Sequence, residues 1–260
     1  MRKKINGLNV ETSGEVNNQA LVFIHGFPFD KTLWNDLICE LEDEYYCISY
    51  DIRGFGNSEL GDAQFTMESY VEDLESIVLA LELDKPIICG FSMGGYVALR
   101  ANEREKYKGL ILANTATNSD NDEAKLKRAS GISDIDAKGL EPFVDAFFKA
   151  AFSEDFIKKE PLKIKKIKEN VMKSKPTALK AALLAMVSRT DTTQSLQKMD
   201  IPVLLITSEK DKVIPKEIME QMSSKIKNST IVSLSDSGHV SMVENPDGFK
   251  SAVRKFLQTL

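Results

Sequence analysis

The chain has 260 residues, 42% of them hydrophobic, enough to bury a substantial core in one or two domains. Its net charge of −5 arises from interspersed acids and bases, without the concentrated basic face that nucleic acid requires. No run of about 18 apolar residues occurs, and no apolar stretch follows the basic start MRKKINGLNV, so neither a membrane span nor a cleaved secretory signal is expected.

From the start of the chain, KKINGLNVETSG reads as a hairpin turning near Asn6-Gly7, an antiparallel edge. Six short apolar runs then read as buried strands: ALVFI (20–24), YYCISY (45–50), PIICG (86–90), KGLILA (108–113), PVLLIT (202–207) and STIVSL (229–234). Helical patterns separate several of them, at 34–41, 67–83 and 95–105. Such alternation predicts a mostly parallel central sheet flanked by helices, an α/β fold. The alternation lapses between about Thr115 and Gln194. There Leu140, Phe143, Val144, Phe147, Phe148, Ala151 and Phe152 fall at helical spacing and make an amphipathic stripe. A lysine-rich piece (158–175), read as a solvated face, and ALKAALLAMV (178–187) follow. The expected organisation is a core of residues 1–114 and 195–260 with a helical cap inserted at 115–194. Cys39, Cys47 and Cys89 are an odd set without metal-type spacing; they read as reduced core residues of a cytoplasmic protein.

The chemistry centres on GFSMGG (90–95), where a strand pattern meets a helix pattern. Gly90-Phe91-Ser92-Met93-Gly94 fits G-x-S-x-G, a strand–turn–helix elbow that presents a serine hydroxyl above a parallel sheet. A serine needs a base, and the base needs an orienting acid. The two histidines, His25 and His239, each follow a predicted strand, at the end where open α/β sheets build their sites. The elbow order Ser, acid, His selects His239 as base and points to Asp211 as acid, with Glu209 as the alternative in the same loop. The backbone N–H groups of Met93 and Phe27 are the expected oxyanion donors. His25 is then a positioning residue, and Gly26, Phe29, Phe143 and Phe147 are expected with it around the substrate.

These segments resemble the α/β-hydrolase superfamily over nearly the whole chain. HGFPFD is similar to its oxyanion loop, DIRGFGNSE (51–59) to its D-x-R-G-x-G-x-S loop, GFSMGG to its nucleophile elbow, SEKDKVIP to its acid loop and GHVSMVENPDGF to its histidine segment. The acid loop of the family often begins with Gly where this chain has Ser208. The resemblance implies the α/β-hydrolase fold with a cap, no metal or organic cofactor, and a small-molecule ester as partner. Pairing HGFP with GFSMGG resembles carboxylesterases, 3-oxoadipate enol-lactonases and cofactor-free haloperoxidase or perhydrolase types. Haloalkane dehalogenases and epoxide hydrolases would carry Asp in place of Ser92. The resulting expectation is hydrolysis of esters with small or medium apolar acyl groups. An enol-lactonase would need a cation for a free carboxylate, with Lys127, Arg128 and Arg189 as suppliers. The same fold would also suit a carbon–carbon bond hydrolase or a non-enzymatic ligand receptor.

Overall fold

The computed structural model describes residues 1–260 and gathers eight strands into one sheet. These are β1 (Arg2–Ile5), β2 (Leu8–Ser13), β3 (Ala20–Ile24), β4 (Tyr46–Tyr50), β5 (Ile87–Phe91), β6 (Gly109–Ala113), β7 (Val203–Ser208) and β8 (Ser229–Leu234). Their order across the sheet is β1-β2-β4-β3-β5-β6-β7-β8. Asn6 and Gly7 take successive positive φ values of 47° and 80°, the requirement of a tight hairpin turn, and join β1 to β2 antiparallel. β2 runs antiparallel to β4, and every pairing from β4 to β8 is parallel.

Three helices lie between the first strands: α1 (Asn35–Leu41), α2 (Met67–Ala80) and α3 (Met93–Ala101). Five more fall between β6 and β7: α4 (Asp122–Lys138), α5 (Leu140–Ala151), α6 (Glu154–Lys159), α7 (Pro161–Val171) and α8 (Pro176–Val187). The chain ends with α9 (Lys216–Lys225), α10 (Ser241–Glu244) and α11 (Pro246–Leu257). Local chemistry sets several boundaries. Thr66 and Ser69 form a reciprocal capping box at the start of α2, and the Asn121 side chain accepts the Ala124 N–H to open α4. Proline opens α7, α8 and α11, where its missing N–H costs nothing.

The chain passes from β3 to β4 on one side, then back across to β5 on the other. Right-handed crossovers therefore put α1 and α2 on opposite faces of the sheet. Contacts agree: α1 packs with α11, and α2 packs with α3. The reversal makes a crevice beyond the carboxyl ends of β3 and β5, the place where open α/β sheets bind ligands. β3 to β7 are buried along their full length, as strands covered on both faces should be.

Two expectations need correction. β8 is not a buried strand: it is a sheet edge paired only with β7, and every residue but Leu234 is at least partly exposed. Cys39 is exposed rather than part of the core, while Cys47 and Cys89 are buried. On α1 the buried positions are Leu37 and Leu41, spaced by four. A residue midway between them faces the opposite side.

Candidate active site

Ser92 stands between β5 and α3 with φ 50° and ψ −114°, a strained conformation for a residue with a side chain. Such a backbone costs on the order of 1–3 kcal/mol and persists only where its surroundings fix it. Here α3 presses directly on β3: a Cβ on Gly94 would lie 2.3 Å from the Ile24 carbonyl oxygen. Ser92 occupies the N-cap position of α3, yet its side chain makes no capping bond. The hydroxyl lies instead 2.9 Å from His239 Nε2.

His239 follows β8 and is fully buried. Its Nδ1 is 2.8 Å from Asp211 Oδ2. A carboxylate only accepts, so Nδ1 carries the proton and Nε2 is free to accept the Ser92 hydroxyl proton. Asp211 follows β7, and its other oxygen accepts the Val213 and Ile214 N–H groups at 2.7 and 2.9 Å. Burial alone would raise the Asp211 carboxyl, but His239 and the donated hydrogen bonds outweigh it and hold the group below its ordinary value. Glu209, the alternative acid, is exposed. Sequence reasoning missed Asn114. Its Nδ2 donates to Asp211 Oδ2 at 2.9 Å and to Ser208 Oγ at 3.1 Å, while Ser241 Oγ donates to its Oδ1 at 2.7 Å. Ser208 thus has work that a glycine there could not do. The usable signal was position, since Asn114 directly follows β6 just as the other site residues follow their strands.

The Phe27 N–H follows β3 and has no protein acceptor, and Met93 supplies the first N–H of α3, where a helix leaves donors unpaired. His25 is fully buried and both its ring nitrogens are committed. Nδ1 donates to the Gly26 carbonyl at 3.0 Å and Nε2 accepts the Ile52 N–H at 2.9 Å. Burial pushes its pKa down, which favours this neutral form. Its ring thus fastens the loop after β3 to the loop after β4, the arrangement of a positioning residue, and leaves neither nitrogen free to bond a substrate. The Phe27 ring meets Phe143 and Phe147 of α5 edge-on at 6.1 and 5.7 Å, and Phe29 meets Phe147 at 6.0 Å. Ser92 is only 8% exposed.

The three candidate carboxylate-binding cations do not converge here. Lys127 is exposed on α4, and Arg128 and Arg189 both turn to Asp120. No group of three or more His, Cys, Asp or Glu side chains is arranged to hold a metal ion. No helix is long and apolar enough to cross a membrane.

A family model described as alpha/beta hydrolase fold matches residues 19–246. The 3-oxoadipate enol-lactonase 2 of Acinetobacter baylyi is 26% identical over 253 residues, covering 96% of this chain and 93% of that protein. A pimeloyl-[acyl-carrier protein] methyl ester esterase of Aliivibrio salmonicida is 26% identical over 262 residues, covering 95% of each. Among solved structures, a thermophilic esterase from Thermogutta terrifontis with malate bound superposes with a TM-score of 0.93 at 31% identity, covering 100% of this chain and 98% of that one.

Proposed function

The chain belongs to the alpha/beta-hydrolase fold family and is a hydrolase, and from that premise we propose that it cleaves carboxylic esters of small or medium apolar acyl groups through an acyl-enzyme. The observation that carries this reading is the continuous hydrogen-bonded line from Ser92 Oγ through both nitrogens of His239 to Asp211. His239 Nε2 takes the hydroxyl proton as Ser92 Oγ attacks the ester carbonyl, and the Phe27 and Met93 N–H groups receive the oxyanion. Asp211 steadies the imidazolium, which then gives its proton to the departing alcohol. Water, deprotonated by the same nitrogen, releases the acid and restores Ser92.

Residues 115–194 act as a cap that covers the acyl group, with Phe143 and Phe147 as its apolar contact. Catalysis needs no cofactor in this scheme. The unpaired cysteines suit a reducing compartment, and we place the enzyme in the cytoplasm. The enol-lactonase relatives favour a lactone as second reading, but a lactone with a free carboxylate would find Arg128 and Arg189 already held by Asp120.

The test is initial rates on p-nitrophenyl esters from acetate to decanoate, for the parent and Ser92→Ala. Release by the parent that vanishes in the variant supports acyl transfer at Ser92. Equal rates in both would refute it, and no release from the parent would turn the search to lactones, carbon–carbon bonds and non-catalytic ligand binding.

A further inference from the structure

Residues 151–155, where α5 hands over to α6, touch both loops that carry the catalytic line. The Ala151 carbonyl accepts the His239 N–H at 2.7 Å, and the Ser153 N–H donates to Glu244 Oε2 at 2.9 Å. Glu154 and Asp155 pair with Lys212 and Lys210 at 3.1 and 2.9 Å, the two residues that flank Asp211. Packing between these pieces leaves no slack. A Cβ on Gly238 would lie 2.8 Å from Ser153 N and 2.9 Å from both the Ala151 oxygen and Glu244 Oε1.

These ties are unequal. Glu154 and Asp155 are 70% and 77% exposed, so water and salt screen their pairs with the lysines. Glu244 is different. Its carboxylate is largely shielded from solvent and no cation pairs with it; Oε2 accepts the Ser153 N–H, while Oε1 is buried without a hydrogen-bond partner. Burial accordingly pushes its carboxyl up. A carboxylate in such a place is costly, and the hydrogen bond from the Ser153 N–H is what offsets part of that cost.

We propose that Glu244 is a positioning residue that couples the inserted helices to His239. It holds the Ser153 N–H, which fixes residues 151–155, and the Ala151 carbonyl then fixes the His239 backbone. Movement of α5 and α6 away from the core therefore also releases the base, so closure over the acyl group and alignment of Ser92, His239 and Asp211 are one event. This coupling rests on acyl transfer at Ser92. Its catalytic consequence follows from geometry, because a misplacement of about 1 Å costs on the order of a hundredfold in rate.

The test uses the full chain and the ester it hydrolyses fastest. Glu244→Ala should lower kcat roughly tenfold or more with KM changed less than about threefold, the pattern of a lost alignment. Amide hydrogen exchange in the His239 segment should rise at the same time. Glu244→Gln keeps an oxygen for the Ser153 N–H and should restore most of the rate. Ser153→Ala keeps the N–H while losing the α6 cap, and should stay near the parent. Ser153→Pro gives an independent route if Glu244→Ala does not fold. Ser153 has φ −65° and Phe152 is extended, so proline fits, and it deletes the N–H that Glu244 accepts. It should reproduce the slower turnover and the faster exchange. Parental kcat and exchange in Glu244→Ala or in Ser153→Pro would overturn the proposal, as would a kcat loss in Glu244→Ala that glutamine does not rescue. The exchange measurement needs no turnover, so it judges the coupling even if Ser92→Ala were to sink the acyl-transfer reading.

Discussion

Replacing Asp120 by asparagine removes the one carboxylate that joins two arginines at the root of the inserted helices. Asp120 precedes α4, Arg128 lies on α4, and Arg189 follows α8. The side chains of Asp120 and Arg189 are 4% and 7% exposed, and that of Arg128 is 21% exposed. Arg189 Nη1 sits 2.8 Å from Asp120 Oδ1 in an ion pair without hydrogen-bond alignment, and its guanidinium lies 4.0 Å over the Tyr96 ring. Removing one partner of a buried pair costs about 3–5 kcal/mol, because the remaining charge stays buried. The poor alignment and the partial exposure of Arg128 put this case near 3 kcal/mol, within the range for such pairs. A chain of this length unfolds with an entropy of about 0.55 kcal/mol/K, so Tm should fall by about 5 °C. Calorimetry at pH 7 reads the shift directly. Asp120→Asn combined with Arg128→Met returns the buried net charge to its parental value, and should recover about half of the loss. A fall below about 2 °C, or no recovery in the double variant, would refute the claim that this cluster is held together by its charge.

Asp211→Asn should lower kcat by about ten-thousandfold with little change in KM, since the wrong imidazole tautomer is then favoured; a loss below tenfold would remove Asp211 from its role. Because the fold holds the Asp211 carboxyl below its ordinary value, the stability it adds is present above the usual carboxylate range and is lost as pH falls through its depressed pKa. The Tm difference between parent and Asp211→Asn should therefore shrink on acidification below about pH 4, and a pH-independent difference would contradict the assignment. Phe147→Ala opens the roof over Phe27 and Phe29 and should raise the hexanoate-to-acetate rate ratio by roughly threefold to tenfold. An unchanged ratio would take Phe147 off the acyl route. A thiol reagent should titrate Cys39 rapidly in the native protein and all three cysteines after denaturation, as burial pushes the Cys47 thiol up to about 12 and Cys89 higher still. Fast modification of two or three native thiols would contradict the packing around β4 and β5.

Periodicity marked the strands because buried parallel strands are apolar on both faces, and that signal survives without knowledge of neighbours. It misread STIVSL for the same reason: Ile231 and Val232 look like core, but only the sheet order reveals that β8 has one partner. That Ser92, Asp211 and His239 come together was legible because each sits in a loop with a fixed place after a strand. Asn114 and Glu244 were not, since an amide in ANTAT and a carboxylate in SMVENP look like ordinary polar residues. What distinguishes them is burial against partners more than 90 residues away in sequence, Asp211 for the first and Ser153 for the second. His25 stood between these cases. Its position after β3 was visible, whereas the commitment of both its nitrogens was a fact of packing.

The carboxyl end of β6 explains how the strain at Ser92 is sustained. The Ala113 carbonyl accepts the Ser92 N–H at 2.9 Å, and the Thr115 hydroxyl donates to the Ser92 carbonyl at 2.8 Å. Between them Asn114, itself at φ 45°, reaches the other way to Asp211. Three consecutive residues thus hold the backbone of Ser92 on one side and the Asp211 carboxylate on the other, across neighbouring strands of a rigid sheet. Each bond contributes only about 1 kcal/mol net, which is comparable to the strain it opposes. Their value lies in geometry. Ser92 and Asp211 are referred to one fixed strand end, so His239 is the member of the line whose placement depends most on the inserted helices. That division is why the proposed coupling through Ala151 and Glu244 would act on His239 and leave Ser92 and Asp211 where β6 holds them.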